Sequence, residues 1–115
     1  MRRSEVWLYR GDPTIGDEIG KTRPCVIVSN NEIGVLKLKV VVPITGWNDV
    51  FSQVPWMVKV TPTSENGLTK LSAIDTFQIR SVSEKRLIRH VGTLDDETMK
   101  NISQSLAIVL EINFS

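Results

Sequence analysis

Short apolar stretches separated by turn residues recur through position 93, and beyond it the spacing of apolar positions lengthens. Two-residue alternation marks half-buried strands, whereas spacing of three to four marks a helix. Glu5 to Tyr9 is the first stretch, with Val6 and Leu8 on one face and Trp7 and Tyr9 on the other. A loop from Arg10 to Thr22 follows, with Gly11, Pro13, Gly16 and Gly20 and no apolar period; loops of this length in a compact domain are often functional. Pro24 to Ser29 is apolar on both faces, and Asn30-Asn31 ends it with residues that tolerate turn conformations. The clearest alternation lies in Leu36 to Thr45. There Leu36, Leu38, Val40, Val42 and Ile44 share one face, which puts the Thr45 hydroxyl off the core. Trp56 to Val60 alternates similarly. Leu71 to Val82 reads as one long strand, with Leu71, Ala73, Phe77 and Ile79 on one side and a polar face of Ser72, Thr76, Gln78 and Arg80 on the other. Ser83 to Arg86 fits one helical turn capped by Ser83, and Ile88 to Thr93 a last short strand.

The carboxyl-terminal segment is helical in period, since Met99, Ile102, Leu106, Val109 and Leu110 recur along one side. Asp95 is its expected N-cap, Asp96 and Glu97 suit the positive end of the helix dipole, and Leu94 is placed to staple onto Met99. The pattern therefore predicts a mainly β (α+β) fold in which a small, curved, mostly antiparallel sheet is closed by one terminal helix. Residues 1–115 make a single domain with no repeat or linker.

Composition narrows the class. Of the 115 residues 41% are hydrophobic and 23% charged, the ordinary globular range, so a disordered chain is excluded. No apolar run approaches the ~20 residues of a membrane span, and no apolar block follows the first arginines. The expectation is a cytoplasmic protein without a membrane partner, and the lone Cys25 agrees with it. The net charge of +1 conceals a gradient: residues 1–36 sum to 0, residues 37–89 to +4 and residues 90–115 to −3. A modestly basic middle suits local contact with an anionic partner but not sequence-blind coating of nucleic acid.

Elimination removes several chemistries. A zinc site needs several His or Cys ligands, and the chain has only His90 and Cys25, so no metal or other cofactor is expected. Asp95-Asp96-Glu97 is better explained as a helix start than as a metal cluster. No Gly-rich phosphate loop and no nucleophile elbow occurs. What remains is arginine, hydroxyl and amide chemistry, the equipment for gripping phosphates and base edges. Arg23 precedes Pro24, which holds it extended at the mouth of a buried strand. It also fits an ordinary ion pair with Asp17 or Glu18. Trp47, Phe51 and Trp56, in or beside the segment from Gly46 to Pro55, suit either base stacking or packing.

Taken in order, Val6-Trp7-Leu8, Pro13-Thr14-Ile15-Gly16-Asp17-Glu18 and Arg23-Pro24-Cys25-Val26-Ile27-Val28-Ser29 resemble the amino-terminal signature of the MazF/PemK toxin family, ribosome-independent endoribonucleases. Pro43-Ile44-Thr45 resembles the second family segment. Ser72-Ala73-Ile74, Gln78-Ile79-Arg80-Ser81-Val82, Arg86-Leu87 and Gly92-Thr93-Leu94 resemble the third. The resemblance spans nearly the whole chain. It implies a small SH3-like β-barrel with a C-terminal helix, and a homodimer that binds single-stranded RNA and is neutralised by a cognate antitoxin. It assigns catalysis to Arg23 and Thr45. It assigns RNA contact to Asp17, Glu18, Ile19, Gly20 and Thr22 in and after the long loop, and to Ser72, Phe77, Gln78 and Arg80. Two departures stand out: Ser4-Glu5 replaces the usual Gly-Asp, and Phe77 stands where an acidic residue often precedes the glutamine.

The implied reaction is sequence-specific and metal-independent. The ribose 2′-hydroxyl attacks the adjacent phosphorus and the 5′-oxygen leaves, so the substrate supplies its own nucleophile. The protein then has to orient the strand and stabilise charge on the phosphoryl oxygens, within reach of one guanidinium and one hydroxyl. A competing reading is a non-catalytic SH3-like binding module, either a gyrase inhibitor or an inactive homologue that sequesters antitoxin, since fold alone does not decide activity.

Overall fold

Seven strands and one α-helix form in the computed structural model, in which residues 1–11 and 22–113 are described. The strands are β1 Glu5–Arg10, β2 Thr22–Ile27, β3 Leu38–Gly46, β4 Met57–Val60, β5 Ser72–Asp75, β6 Arg80–Ser83 and β7 Leu87–Thr93, and the helix is α1 Asp96–Val109. All pairings are antiparallel, in the order β4-β5-β3-β2-β1-β7, with β6 also on β3. The sheet is curved but not closed. Two register shifts of β1 against β7 bend one end. At the other, β3 pairs with β6 through Val41 and is taken up by β5 from Ile44 onward.

The outer strands β4 and β7 do not pair, and residues 61–67 bridge them. Asn66 organises this loop: its Oδ1 accepts from the Thr63 and Leu68 amides and its Nδ2 donates to the Thr61 carbonyl, each at 3.0 Å. The Thr93 amide then donates to the Glu65 carbonyl at 2.8 Å. Approach is so close that a Cβ on Gly92 would lie 2.4 Å from the Asn66 backbone, and Gly67 has φ +69° with the Val91 carbonyl 2.2 Å from where its Cβ would sit. Glycine is required at both positions.

The main core lies on one face of the sheet. Val6, Val26, Val42, Ile44, Val58, Val60 and Ile74 pack there against Leu94, Met99 and Ile102 from the start and inner side of α1. The expected cap holds: Asp95 Oδ1 accepts from the Thr98 amide at 2.8 Å. Ser83 likewise caps a 3₁₀ turn, Glu84–Arg86. A second apolar cluster of Cys25, Ile27, Val41, Val82 and Leu87 occupies the other face beneath Trp7 and Tyr9. β3 is therefore covered on both sides. Burial pushes the Cys25 thiol up to about 12, although it also accepts a hydrogen bond from the Trp7 backbone.

Three expectations are corrected. Leu36 and Leu38 are exposed, because β3 begins only at Leu38 and its first residues extend past the core. Leu110 caps the end of α1 and faces solvent. The single strand expected over Leu71 to Val82 is two strands separated by a 3₁₀ turn, Thr76–Gln78. Asp75 starts the turn by accepting from the Phe77 amide at 3.2 Å, and Thr76 anchors it by donating through Oγ1 to the Trp56 carbonyl at 2.6 Å. The turn reverses the assumed faces: Thr76 is buried, whereas Phe77 is 63% exposed. Helix α1 packs against this turn and β4, bracing the turn from the core side.

Candidate active site

Alternation along β2 and β3 decides what meets across their ladder. Cys25 pairs with Pro43 and Ile27 with Val41, and these residues share the sheet face opposite the main core. Continuing that register by two residues brings Arg23 opposite Thr45. The apolar cluster thus passes along the same face into a polar end carrying a guanidinium and a hydroxyl. Both side chains line one cavity of about 240 Å³, completed by Pro43, Phe51, Met57, Asp75 and Gln78. That volume suits one phosphodiester and its immediate surroundings better than a whole nucleotide chain.

Arg23 is exposed, and among the described residues no carboxylate forms an ion pair with it. Thr45 is half-buried on the face away from Ile44, as its strand position requires. Gln78 reaches the cavity from the 3₁₀ turn, and its Nε2 donates to Asp75 Oδ2 at 2.7 Å. Phe51 comes from another 3₁₀ turn, Asp49–Gln53, which is capped by Asn48. The Trp47 ring meets Phe51 edge-on at 5.7 Å, and Lys59 Nζ lies 5.0 Å from the Trp47 ring centre.

The other expected RNA-contacting residues are spread more widely. Arg80 lies on the same sheet face as Arg23, its guanidinium 5.6 Å from the centre of the Tyr9 ring, and Tyr9 is itself the register partner of Arg23. Thr22 is exposed at the start of β2, one residue out of phase with Arg23. Phe77 contacts the Trp56 ring at 5.5 Å, just outside the cavity. Ser72 is buried, and its hydroxyl donates to the Lys70 carbonyl at 2.8 Å, so it lies apart from the cavity and not on an open polar face. Asp17, Glu18, Ile19 and Gly20, and with them any ion pair to Arg23, lie outside the described residues. His90 is exposed on β7 against the Trp7 ring. A larger cavity of about 600 Å³, between residues 61–66 and the start of α1, contains none of the residues to which the resemblance assigns catalysis or RNA contact.

Asp75 and Met57 line the cavity without having been singled out. Met57 carried no signal. Asp75 did, because aspartate is a poor strand former and one that precedes an amide by two residues favours a local turn.

The fold agrees with those of known proteins. Residues 2–110 match the family of PemK-like, MazF-like toxins of type II toxin-antitoxin systems. The chain is 29% identical to endoribonuclease MazF9 of Mycobacterium tuberculosis over 118 residues, covering 97% of this chain and 98% of that protein. Its fold superposes with a TM-score of 0.75 on an endoribonuclease from a mycobacterial species solved with its cognate antitoxin, at 26% identity and over 100% and 99% of the two chains. A MazE-MazF structure from Deinococcus radiodurans gives a TM-score of 0.78 at 18% identity, over 98% and 97%, a likeness of fold alone. The chain belongs to the PemK-like, MazF-like family and is an endoribonuclease toxin of the type II toxin-antitoxin class.

Proposed function

We propose that this toxin cleaves single-stranded RNA at a defined sequence, independently of ribosomes and of metal ions, with Arg23 and Thr45 as its catalytic residues. The observation that carries the reading is the convergence of these two side chains on one small cavity from adjacent strands. In the proposed reaction the 2′-oxygen bonds to the phosphorus in line and gives its proton to solvent, the bond from phosphorus to the 5′-oxygen breaks, and the 5′-oxygen takes up a proton from solvent. A cyclic phosphate and a 5′-hydroxyl end result. Arg23 spans two phosphoryl oxygens with its planar fork, and Thr45 donates a further hydrogen bond, so charge that develops in the transition state meets donors already in place. A guanidinium holds its proton at neutral pH, which makes charge stabilisation its direct contribution. The remaining assignments are RNA contact by Gln78, Arg80, Thr22 and Phe77, with residues 17–20 alongside.

The family and the antitoxin-bound relatives support three further parts of the reading: a homodimer, inhibition by a cognate antitoxin, and action in the cytoplasm. Among the described residues no helix is long and apolar enough to cross a membrane. The test is cleavage of a defined RNA by purified protein in excess chelator, with cut ends mapped by primer extension and their chemistry checked by ligation. Discrete sites with 5′-hydroxyl ends are expected. Intact RNA, or ends bearing a 5′-phosphate, would defeat the mechanism.

A further inference from the structure

Among the described residues Asp75 is the one carboxylate lining the Arg23–Thr45 cavity, and it is only 8% exposed. Its two oxygens are committed differently. Oδ1 accepts from the Phe77 amide at 3.2 Å, which fixes the carboxylate plane to the backbone of the turn. Oδ2 accepts from Gln78 Nε2 at 2.7 Å. Thr76 holds the turn in place through its side-chain and backbone bonds to the Trp56 carbonyl.

A carboxylate only accepts, so its partner on Gln78 has to be the amide NH₂, and a turned amide would set oxygen against oxygen. The bond is charge-assisted and therefore stronger than a neutral one. It leaves Gln78 with a defined polarity: Oε1 and one remaining N–H are offered beyond Asp75, in a fixed order. Base edges differ in that same order. Adenine and cytosine present an amino donor followed by a ring acceptor, whereas guanine and uracil present a keto acceptor followed by a ring donor. In single-stranded RNA these edges are open to readout. With the phosphate held at Arg23, an amide of one polarity complements one pair of bases and meets the other pair donor to donor.

We infer that Asp75 is a specificity-determining positioning residue, which locks the Gln78 amide so that the enzyme discriminates amino bases (A, C) from keto bases (G, U) at one position beside the cut. The inference rests on the nuclease reading above.

Asp75→Asn tests it. The asparagine oxygen keeps the cap on the Phe77 amide, so its NH₂ faces Gln78 and forces the Gln78 amide to turn. Wild type and variant are given RNAs carrying size-matched substitutions, A against G and C against U, at each position around the mapped cut. Wild type should show one position at which amino and keto bases differ by roughly ten- to a hundredfold in kcat/KM. In Asp75→Asn that ratio should collapse or invert there and stay unchanged elsewhere. Gln78→Met, which alters an exposed side chain outside the core, should flatten the same position. An unchanged ratio, or a loss of rate equal at every position, would overturn the inference while leaving the nuclease reading intact. Absence of cleavage by wild type would instead strike the nuclease reading itself.

Discussion

Arg23 and Thr45 invite a double-mutant cycle. The substitutions are Arg23→Ala and Thr45→Val, singly and together. Arg23 is exposed and Thr45 half-buried outside the main core, so both variants should melt within a few degrees of wild type. Removing one preorganised donor to a developing oxyanion typically costs about 2.7–4 kcal/mol, or ~10²–10³ in rate. The neutral Thr45 donor should fall at the low end of that range and the charged, two-pronged Arg23 at or above the high end. Independent action would make the double variant slower by the product, about 10⁵. The two residues lie where the β2–β3 register continues beyond Cys25 and Pro43, and both line one small cavity, so they should instead act as a unit. The double variant is then expected to be slower than Arg23→Ala by less than about tenfold, a coupling of at least ~1.4 kcal/mol. The measurement is single-turnover cleavage, in chelator, of a short fluorogenic RNA carrying the mapped site. If either single variant stayed within about threefold of wild type, or if the losses multiplied fully, the shared-phosphate geometry would be wrong.

Other expectations concern the scaffold. Asn66→Ala strips three hydrogen bonds from a site only 4% exposed and leaves two amides and a carbonyl without partners, so urea denaturation should show a loss of about 2–4 kcal/mol. A loss below about 1 kcal/mol would mean that the 61–67 bridge does not depend on this side chain. Cys25, buried and with its thiol pushed up to about 12, should resist maleimide at pH 8 in the native protein and react on unfolding; prompt native labelling would contradict the packing of β2. Accepting hydrogen bonds from the Thr98 side chain and amide lowers the Asp95 carboxyl below its ordinary value. A lowered native value stabilises the fold above the unfolded value of about 4, and that contribution fades as pH falls through the native value. Asp95→Asn keeps a cap but has no proton to take up, so wild type should lose melting temperature relative to it only below about pH 4.

Where local rules suffice, residue pattern and structure coincide. Ser83 and Asp95 cap the elements expected of them, because a cap needs only a short polar side chain and an amide two or three residues on. Thr45 faces away from Ile44 because neighbours on a strand must point to opposite faces. Local rules fail at the Asp75–Gln78 turn. Apolar alternation resumes on both sides of Asp75, which is the one local sign of a break, while the bonds that make the break come from the Trp56 carbonyl and the Asp75 carboxylate. Leu36 and Leu38 keep the alternating pattern yet lie beyond the neighbours that would cover them. Gly67 shows no special pattern and Gly92 enters only through the family resemblance; the approach of residues 61–67 to β7 explains both.

The chain by itself therefore settled most of its strands and its terminal helix, since these follow from side-chain type and from spacing of a few residues. Tertiary structure decided which residues meet: Arg23 with Thr45 through the register of β2 on β3, and Asp75 with Gln78 through a turn tied to residue 56 and braced by α1. Register and bracing are set by residues far apart along the chain, and no local period carries that information.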